Sequence, residues 1–515
     1  MAANISSIGL KGMQGYKVTV EVEKLHGIES VVIVGLPDTA IKESRERVIS
    51  ALKSTGCSIS DRKIIINLAP AEHKKNGPVF DLPIAIGILK CLDVIKGEIP
   101  AATAFLGALS LDGRVQRVDG ILPSLLAAKQ LGFKKLYLPL DAQLPLHLVD
   151  GVEIVAVHTI SDVLSHLAGQ LSLSCSFPED VGELPITKST MLKDFSYILG
   201  HEKAKRAFEI AAAGEHNLLM SGPPGCGKSM LAESFSTILP PLSREAQIEV
   251  MSLYQMAGVE LPDAAMPPYR QPHHTSSYVS MIGGGTNPKP GEISLAHHGV
   301  LFLDEIAEFP KKTLDMLRQP LESRKVTISR IHSTATFPSR FILIAAMNPC
   351  PCGYLDTKAG YCSCTPKQIQ AYQGKLSGPI RDRIDIFLRL EPINFEREGK
   401  KSSETSKIIQ ERVIHARQKQ QERYRDWGAY SNGSIPFELF SQTNSLTTEQ
   451  QNMLQYHCMQ QNWSNRVQGK IFRIARTISD LRDEAHISDE SLWEAIAYRI
   501  SVQPRSKPNA KVSGR

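Results

Sequence analysis

No stretch of this 515-residue chain is apolar for long enough to cross a membrane, and Met1 to Leu10 lack the basic start and apolar run of a secretory signal. A cytoplasmic location without a membrane partner is the expectation. Charge of one sign is also scarce: a formal net charge of +6 is compatible with nucleic acid but does not demand it. No internal repeat is found. Hydrophobic residues make up 42% and charged residues 22%, the balance of a soluble globular protein and not of a disordered or fibrous one. One hydrophobic core cannot organise a chain of this length, and roughly two to four domains are expected. The nine cysteines read as reduced thiols whose distribution matters more than their count.

Residues 1–167 alternate strand-like and helix-like segments. Strands are predicted at Tyr16 to Val22, Ser30 to Val34, Lys63 to Leu68, Lys135 to Leu138 and Val152 to Val157. Helices are predicted at Asp38 to Lys53, Asp81 to Leu89 and Ile121 to Leu131. Residues 168–193 turn to Gly, Ser, Pro and acidic residues without periodicity, the composition of a linker. From 194 to 392 short apolar strands alternate with helices, the pattern of a parallel sheet covered on both faces. Residues 393–503 are mainly helical and rich in Arg, Gln and Glu, and 504–515 read as a disordered basic tail.

The chemistry begins at a buried strand, Asn217 to Ser221, followed at once by Gly222-Pro223-Pro224-Gly225-Cys226-Gly227-Lys228-Ser229 and then a helix. That is the setting a phosphate-binding loop requires. Its glycines let backbone amides turn inward on phosphate oxygens, Lys228 neutralises the outer phosphates, and the Ser229 hydroxyl ligates magnesium. Cys226 reads as a spacer. Downstream, the strand Val300-Leu-Phe-Leu ends in Asp304-Glu305: Asp304 would hold the magnesium shell, and Glu305 would polarise the attacking water. A third strand, Phe341 to Met347, ends in Asn348, placed to reach the γ-phosphate or the water, although a strand-end Asn is also a common turn former. ATP and Mg2+ are the implied cofactors.

These motifs, with Asp194-Phe-Ser-Tyr-Ile-Leu-Gly200, Pro272-His-His-Thr275, Gly283-Gly-Gly285, Pro290 to His297, Asn348-Pro-Cys-Pro-Cys-Gly353, Leu376 to Asp385, and Ser464-Asn-Arg466 leading into Arg473 to Arg476, resemble the magnesium-chelatase-like AAA+ ATPases, and within them the ComM/YifB proteins. The resemblance spans nearly the whole chain. It implies an AAA+ αβα sandwich with a parallel sheet and a C-terminal helical lid. It also implies a first sensor at Asn348, an arginine finger at Arg383 reaching a neighbour's nucleotide, with Arg381 a rival, and a second sensor at Arg466. A homo-hexameric ring follows. Without the motif, each arginine reads as a surface salt bridge. The first domain is similar to the Lon-type protease fold, of ribosomal S5 type. It has Gly77-Pro78-Val79 where those proteases carry Gly-Pro-Ser, and Gly120-Ile121-Leu122 where their lysine follows Gly-Gly-Leu. Without a serine hydroxyl and a base, peptide hydrolysis is not expected.

Cys350, Cys352, Cys362 and Cys364 form two Cys-x-Cys pairs, nine residues apart. Four soft ligands suit a structural Zn2+; the pairs are tighter than the usual spacing, so unmetallated thiols stay open. His273-His274 and His297-His298 are read as hydrogen-bonded structural histidines, because neighbouring side chains are expected to point apart. Lys325 to Thr336 alternates like a β-hairpin. By resemblance this hairpin and an insertion at Gly283 to Lys289 face the ring pore, so Arg324, Lys325, Arg330 and Lys289 are candidate DNA phosphate contacts; an ordinary solvated face is the alternative.

The resulting expectation is a ring ATPase translocating on single-stranded or branched DNA, resembling proteins that drive branch migration during recombination of incoming DNA, with recombination proteins as further partners. A protein-remodelling motor and a chelatase-like metal-insertion motor are the alternatives, and the Lon-like domain argues against the second of these.

Overall fold

The structure is a computed structural model that describes residues 2–35, 39–57, 59, 62–72, 75, 77–140, 151–170, 194–285, 288–330, 333–355, 360–392, 404–428 and 431–500. Most of the predicted linker and the basic tail lie outside these residues.

The N-terminal part is built on a seven-stranded mixed sheet. Its order is Ser30–Val34, Arg62–Ala69, Gln14–His26, Ala3–Lys11, Thr103–Phe105, Lys135–Pro139 and Glu153–Val157. Runs such as Lys63-Ile-Ile-Ile suit a pleated surface, and Ile64, Ile66 and Leu68 alternate inward to meet the helices Thr39–Ser54 and Asp81–Cys91. The five predicted strands and three predicted helices are all present within a few residues of their expected ends. The strand Ala3–Lys11 was not anticipated. Its Asn, Ser and Gly content carries little strand signal, yet it lies inside the sheet because Ile5 and Ile8 are buried and the Ser7 hydroxyl donates to the Phe105 carbonyl at 2.9 Å.

A second sheet has five strands in the order Tyr269–Arg270, Val300–Leu303, Ile342–Met347, Leu218–Ser221 and Ile386–Arg389, with every neighbouring pair parallel. The central strands are continuous apolar runs because both faces are covered. Ser221 is in register with Met347, and Leu303 with Ala345, so the segments that follow these three strands emerge at one edge. The opposite edge is polar. Asn217 donates its backbone N–H to Asp385 and its side-chain amide to the Arg383 carbonyl, and accepts from the Leu343 N–H, which ties three strands together. Glu215 receives Arg340 and Arg417, and those guanidinium groups hold its buried carboxyl well below the ordinary range although burial alone would raise it.

Arg417 belongs to the helix Ser406–Arg423, the first of a helical layer continued by Phe437–Thr443, Thr448–Gln460, Asn465–Leu481 and Asp489–Ile500. The N-terminal part rests on the parallel-sheet part in two places. Helix Ile121–Gln130 lies along helix Arg244–Ala257, and the turn at Gly12, φ +64°, sits on the backbone of Thr336, where a Cβ would come within 2.7 Å of the carbonyl oxygen. No helix among the described residues is long and apolar enough to cross a membrane.

His216 is sealed between the sheet and the helical layer, with Nε2 at 2.9 Å from the Thr477 hydroxyl, and burial pushes its pKa down to about 4. His297 is likewise pushed down to about 4 by burial. Both depart from an ordinary value of about 6.5, so between these limits the unfolded chain binds protons that the folded chain refuses. Stability is therefore expected to rise with pH and to be lost as pH falls from about 6.5 toward 4, by roughly 3 kcal/mol for each histidine. Urea-unfolding midpoints at pH 5 to 7 check this, and His216→Gln should flatten the slope; an unchanged slope contradicts the assignment.

Candidate nucleotide-binding site

The loop after Ser221 folds as its composition requires. Gly225 and Gly227 adopt φ of +74° and +85°, the conformation that turns consecutive amides toward one centre, and helix Lys228–Ser234 starts immediately after them. The Lys228 ammonium donates to the carbonyls of Gly222 at 2.7 Å and Pro223 at 2.9 Å, and to Asn348 Oδ1 at 3.1 Å. Burial lowers its pKa, with Cys226, Asp304 and Glu305 opposing. Cys226 is buried beside Gly222 and fills space beneath the loop. Ser229 Oγ donates to Asp304 Oδ2 at 3.1 Å. Adjacent corners of an octahedron with magnesium–oxygen bonds of ~2.1 Å are about 3 Å apart, so this pair fits a Mg2+ shell. Glu305, beside it, is exposed and held at φ +48°, a strained conformation costing on the order of 1 kcal/mol or more. Asp304 Oδ1 accepts the Glu305 N–H at 2.9 Å.

Two of the arginines lie at the far edge of the sheet. Arg383 precedes the amino end of Ile386–Arg389, whereas Lys228 follows the carboxyl end of the parallel neighbour, about one strand length of ~13 Å away. Arg383 is held by the carbonyls of Arg318 and Pro379 and by Glu322 at 2.5 Å. Arg466 opens the helix Asn465–Leu481, is 68% exposed, and approaches the same Glu322 at 3.8 Å. The structure therefore brings Arg383 and Arg466 to one carboxylate and neither to its own phosphate loop. Glu322 itself had no signal in the sequence, since it is one acidic residue on a short helix.

The four cysteines converge. Their sulfurs lie within 4.8 Å of one another, with Cys350 to Cys352 at 3.3 Å, Cys350 to Cys362 at 3.7 Å and Cys352 to Cys362 at 3.6 Å. A tetrahedron of ~2.3 Å zinc–sulfur bonds has edges of about 3.8 Å, so the donor set fits that ion. The thiol of Cys352 is drawn down to about 6 by the Tyr354 backbone N–H and the neighbouring thiols.

His297 and His298 do not point apart. His298 takes φ +58°, which swings both rings to one side at a centroid separation of 3.9 Å, and both Nε2 atoms reach Glu249 Oε2, at 3.0 and 2.8 Å. The expectation of diverging side chains fails at both pairs, since the His273 and His274 rings also converge, with centroids 4.1 Å apart. A hydrogen-bonded role stands nonetheless: His297 Nδ1 accepts the Arg340 N–H at 3.0 Å, so Nε2 carries the proton and offers no lone pair to a metal. His273 bonds the Thr275 hydroxyl at 2.8 Å.

The hairpin is present as Lys325–Arg330 paired with Ser333–Pro338. Val326, Ile328, Ala335 and Phe337 face inward, leaving Thr327, Ser329 and Thr334 on the exposed face. Lys325 is at the base, opposite Pro338, and not near the tip. Arg324 turns inward, donating to the Gly433 carbonyl at 3.3 Å and facing Glu215, which makes it an internal brace in this chain. Arg330 reaches the tip by backbone register; its side chain lies outside the described residues. Lys289 is exposed on a two-residue ladder opposite Gly284. In the N-terminal part Val79 packs between two apolar clusters and Leu122 is buried, so both positions corresponding to protease chemistry serve the core.

Lys228→Ala is expected to abolish ATP turnover and weaken ATP binding. Glu305→Gln should bind ATP yet lower turnover by about a hundredfold or more. Equilibrium binding of a fluorescent ATP analogue beside phosphate release separates the two effects. Full turnover by either variant contradicts this site.

The family described as magnesium chelatase, subunit ChlI, matches residues 194–398; subunit ChlI of Mg-chelatase matches 20–142, and the subunit ChlI C-terminal family matches 403–499. The chain is 38% identical over 500 residues to competence protein ComM of Haemophilus influenzae, covering 96% of each protein. It is 36% identical over 492 residues to the protein YifB of Escherichia coli, covering 95% of each. Its N-terminal part is 36% identical over 127 residues to Lon protease 2 of Bacillus subtilis, 24% of this chain and 22% of that one. With such identity along nearly its whole length, and a nucleotide-loop geometry to match, the chain belongs to the ComM/YifB family of magnesium-chelatase-like AAA+ proteins.

Proposed function

We propose that this chain is a Mg2+-dependent ATPase that works as a homo-hexameric ring and moves on single-stranded or branched DNA. The convergence of Lys228, Ser229, Asp304 and Asn348 at one sheet edge carries the ATPase reading. Lys228 and the loop amides bind the phosphates, Ser229 and Asp304 hold Mg2+, Asn348 positions the γ-phosphate, and Glu305 accepts a proton from the attacking water. The metal, once bound, supplies charge neutralisation on the phosphate oxygens.

Distance supports the ring reading. Arg383 and Arg466 sit at the edge away from their own loop, and an arginine that serves a neighbour must lie on an outer face of this kind. Mixed before assembly, Lys228→Ala and Arg383→Ala chains should recover activity that neither has alone. In random rings about a quarter of the junctions pair an intact loop with an intact arginine. A mixture as inactive as its components sinks the assignment in trans.

Support for DNA comes from the relative named as a competence protein, from exposed Lys289 and Lys325, and from the place of Arg330 at the hairpin tip. Such contacts track phosphates without reading bases. Forked and four-way junction DNA should stimulate phosphate release and be branch-migrated, and binding should weaken steeply with salt. A protein-remodelling motor draws support from the Lon likeness and from the N-terminal turn seated on the hairpin. Stimulation by unfolded polypeptide and not by DNA would favour that reading. A chelatase-like motor regains ground from the match of subunit ChlI to residues 20–142, because the N-terminal domain no longer tells against it. The four cysteines are read as a structural Zn2+ site on their sulfur separations.

A further inference from the structure

The cysteine loop and the phosphate loop form one packed unit. Gly353 is buried at φ +84° against Pro224 of the phosphate loop, and a Cβ there would approach the proline Cδ to 2.6 Å. Cys350, fully buried, comes two residues after Asn348, whose side chain accepts from Lys228. Beyond the second cysteine pair, Thr365 caps helix Pro366–Gly374. That helix returns to the same spot: Gln373 donates to the Pro349 carbonyl at 3.0 Å, and the Tyr372 hydroxyl bonds the Asn348 backbone. The chain thus leaves the sheet at Asn348, gathers four sulfurs, and comes back to Asn348.

Among the described residues the loop is also held by the Gly353 N–H on the Cys350 carbonyl at 3.0 Å and by the Tyr354 ring packed on Gly360. Tyr354 and Tyr361 are 38% and 92% exposed, Cys350 alone of the four cysteines is fully buried, and thiol–thiol contacts are weak. Four metal–thiolate bonds would add rigidity to these contacts, and would transmit it through Gly353 to Pro224 and through Cys350 to Asn348.

We propose that zinc held by Cys350, Cys352, Cys362 and Cys364 fixes Pro224 and Asn348 around the nucleotide, so that zinc occupancy is a condition for tight ATP binding. This rests on the ATPase and zinc readings given above. Gly353 is a positioning residue in it, acting through Pro224.

The test uses the full-length protein. Elemental analysis should find one zinc per chain. A zinc-selective chelator, with Mg2+ kept in excess, should weaken binding of a fluorescent ATP analogue at least tenfold, and added Zn2+ should restore it. Gly353→Ala should retain zinc, since no ligand changes, yet show the same loss of affinity, which tests the link from the cysteine loop to Pro224 by itself. Absence of stoichiometric zinc overturns the proposal, as does unchanged affinity after zinc removal or wild-type affinity in Gly353→Ala. Failure of the ATPase reading looks different: zinc-loaded wild type would bind the analogue and release no phosphate, with or without DNA.

Discussion

A parallel sheet has two chemically distinct edges, and nearly everything else in this protein follows from that asymmetry. Strands Leu218–Ser221, Val300–Leu303 and Ile342–Met347 run the same way in close register, so the loops leaving their carboxyl ends cannot avoid one another. Glycine amides, an ammonium, a hydroxyl and a carboxylate therefore meet although distant in the chain. The apolar cover on both faces keeps the strands in place, and the charged groups do not have to hold the fold together in order to meet.

The opposite edge carries a different load. Buried carboxylates there are bound by cations from the helical layer: Glu215 by Arg417, and Asp385 by Lys470 at 2.8 Å. Burial alone would raise Asp385, and Lys470 and His216 hold it low. Removing one partner from such a pair leaves an uncompensated buried charge, which is far more costly than losing a surface contact. The arrangement fixes the helical layer to the sheet and, with it, the relative position of Arg383 and Arg466. Their shared anchor, Glu322, makes them a unit in the isolated chain.

A third connection joins the N-terminal part to the hairpin. Gly12 rests on Thr336, one strand away from Thr327 and four residues from the tip by register. Movement of the hairpin would press on the first turn of the N-terminal sheet, and the hairpin base is in turn braced by Arg324 toward Glu215. The hairpin is therefore wired to two other parts of the chain and is not a free arm.

Local chemistry in the sequence was enough to determine the phosphate loop, the acidic strand end at Asp304-Glu305, the alternating hairpin and the cysteine spacing, because each depends on residues close together in the chain. The long β-branched runs announced most strands for the same reason. Ala3–Lys11 stayed hidden, since its place inside a sheet is decided by partners far along the chain and not by its own composition. Only the tertiary structure decided that His297 and His298 converge on Glu249, through a single left-handed residue that periodicity cannot foresee. It alone turned Arg324 inward, joined Arg383 to Arg466 through Glu322, and set Gly353 against Pro224. Contacts of this kind depend on packing between distant segments, and no short-range pattern of side chains encodes which surfaces will meet.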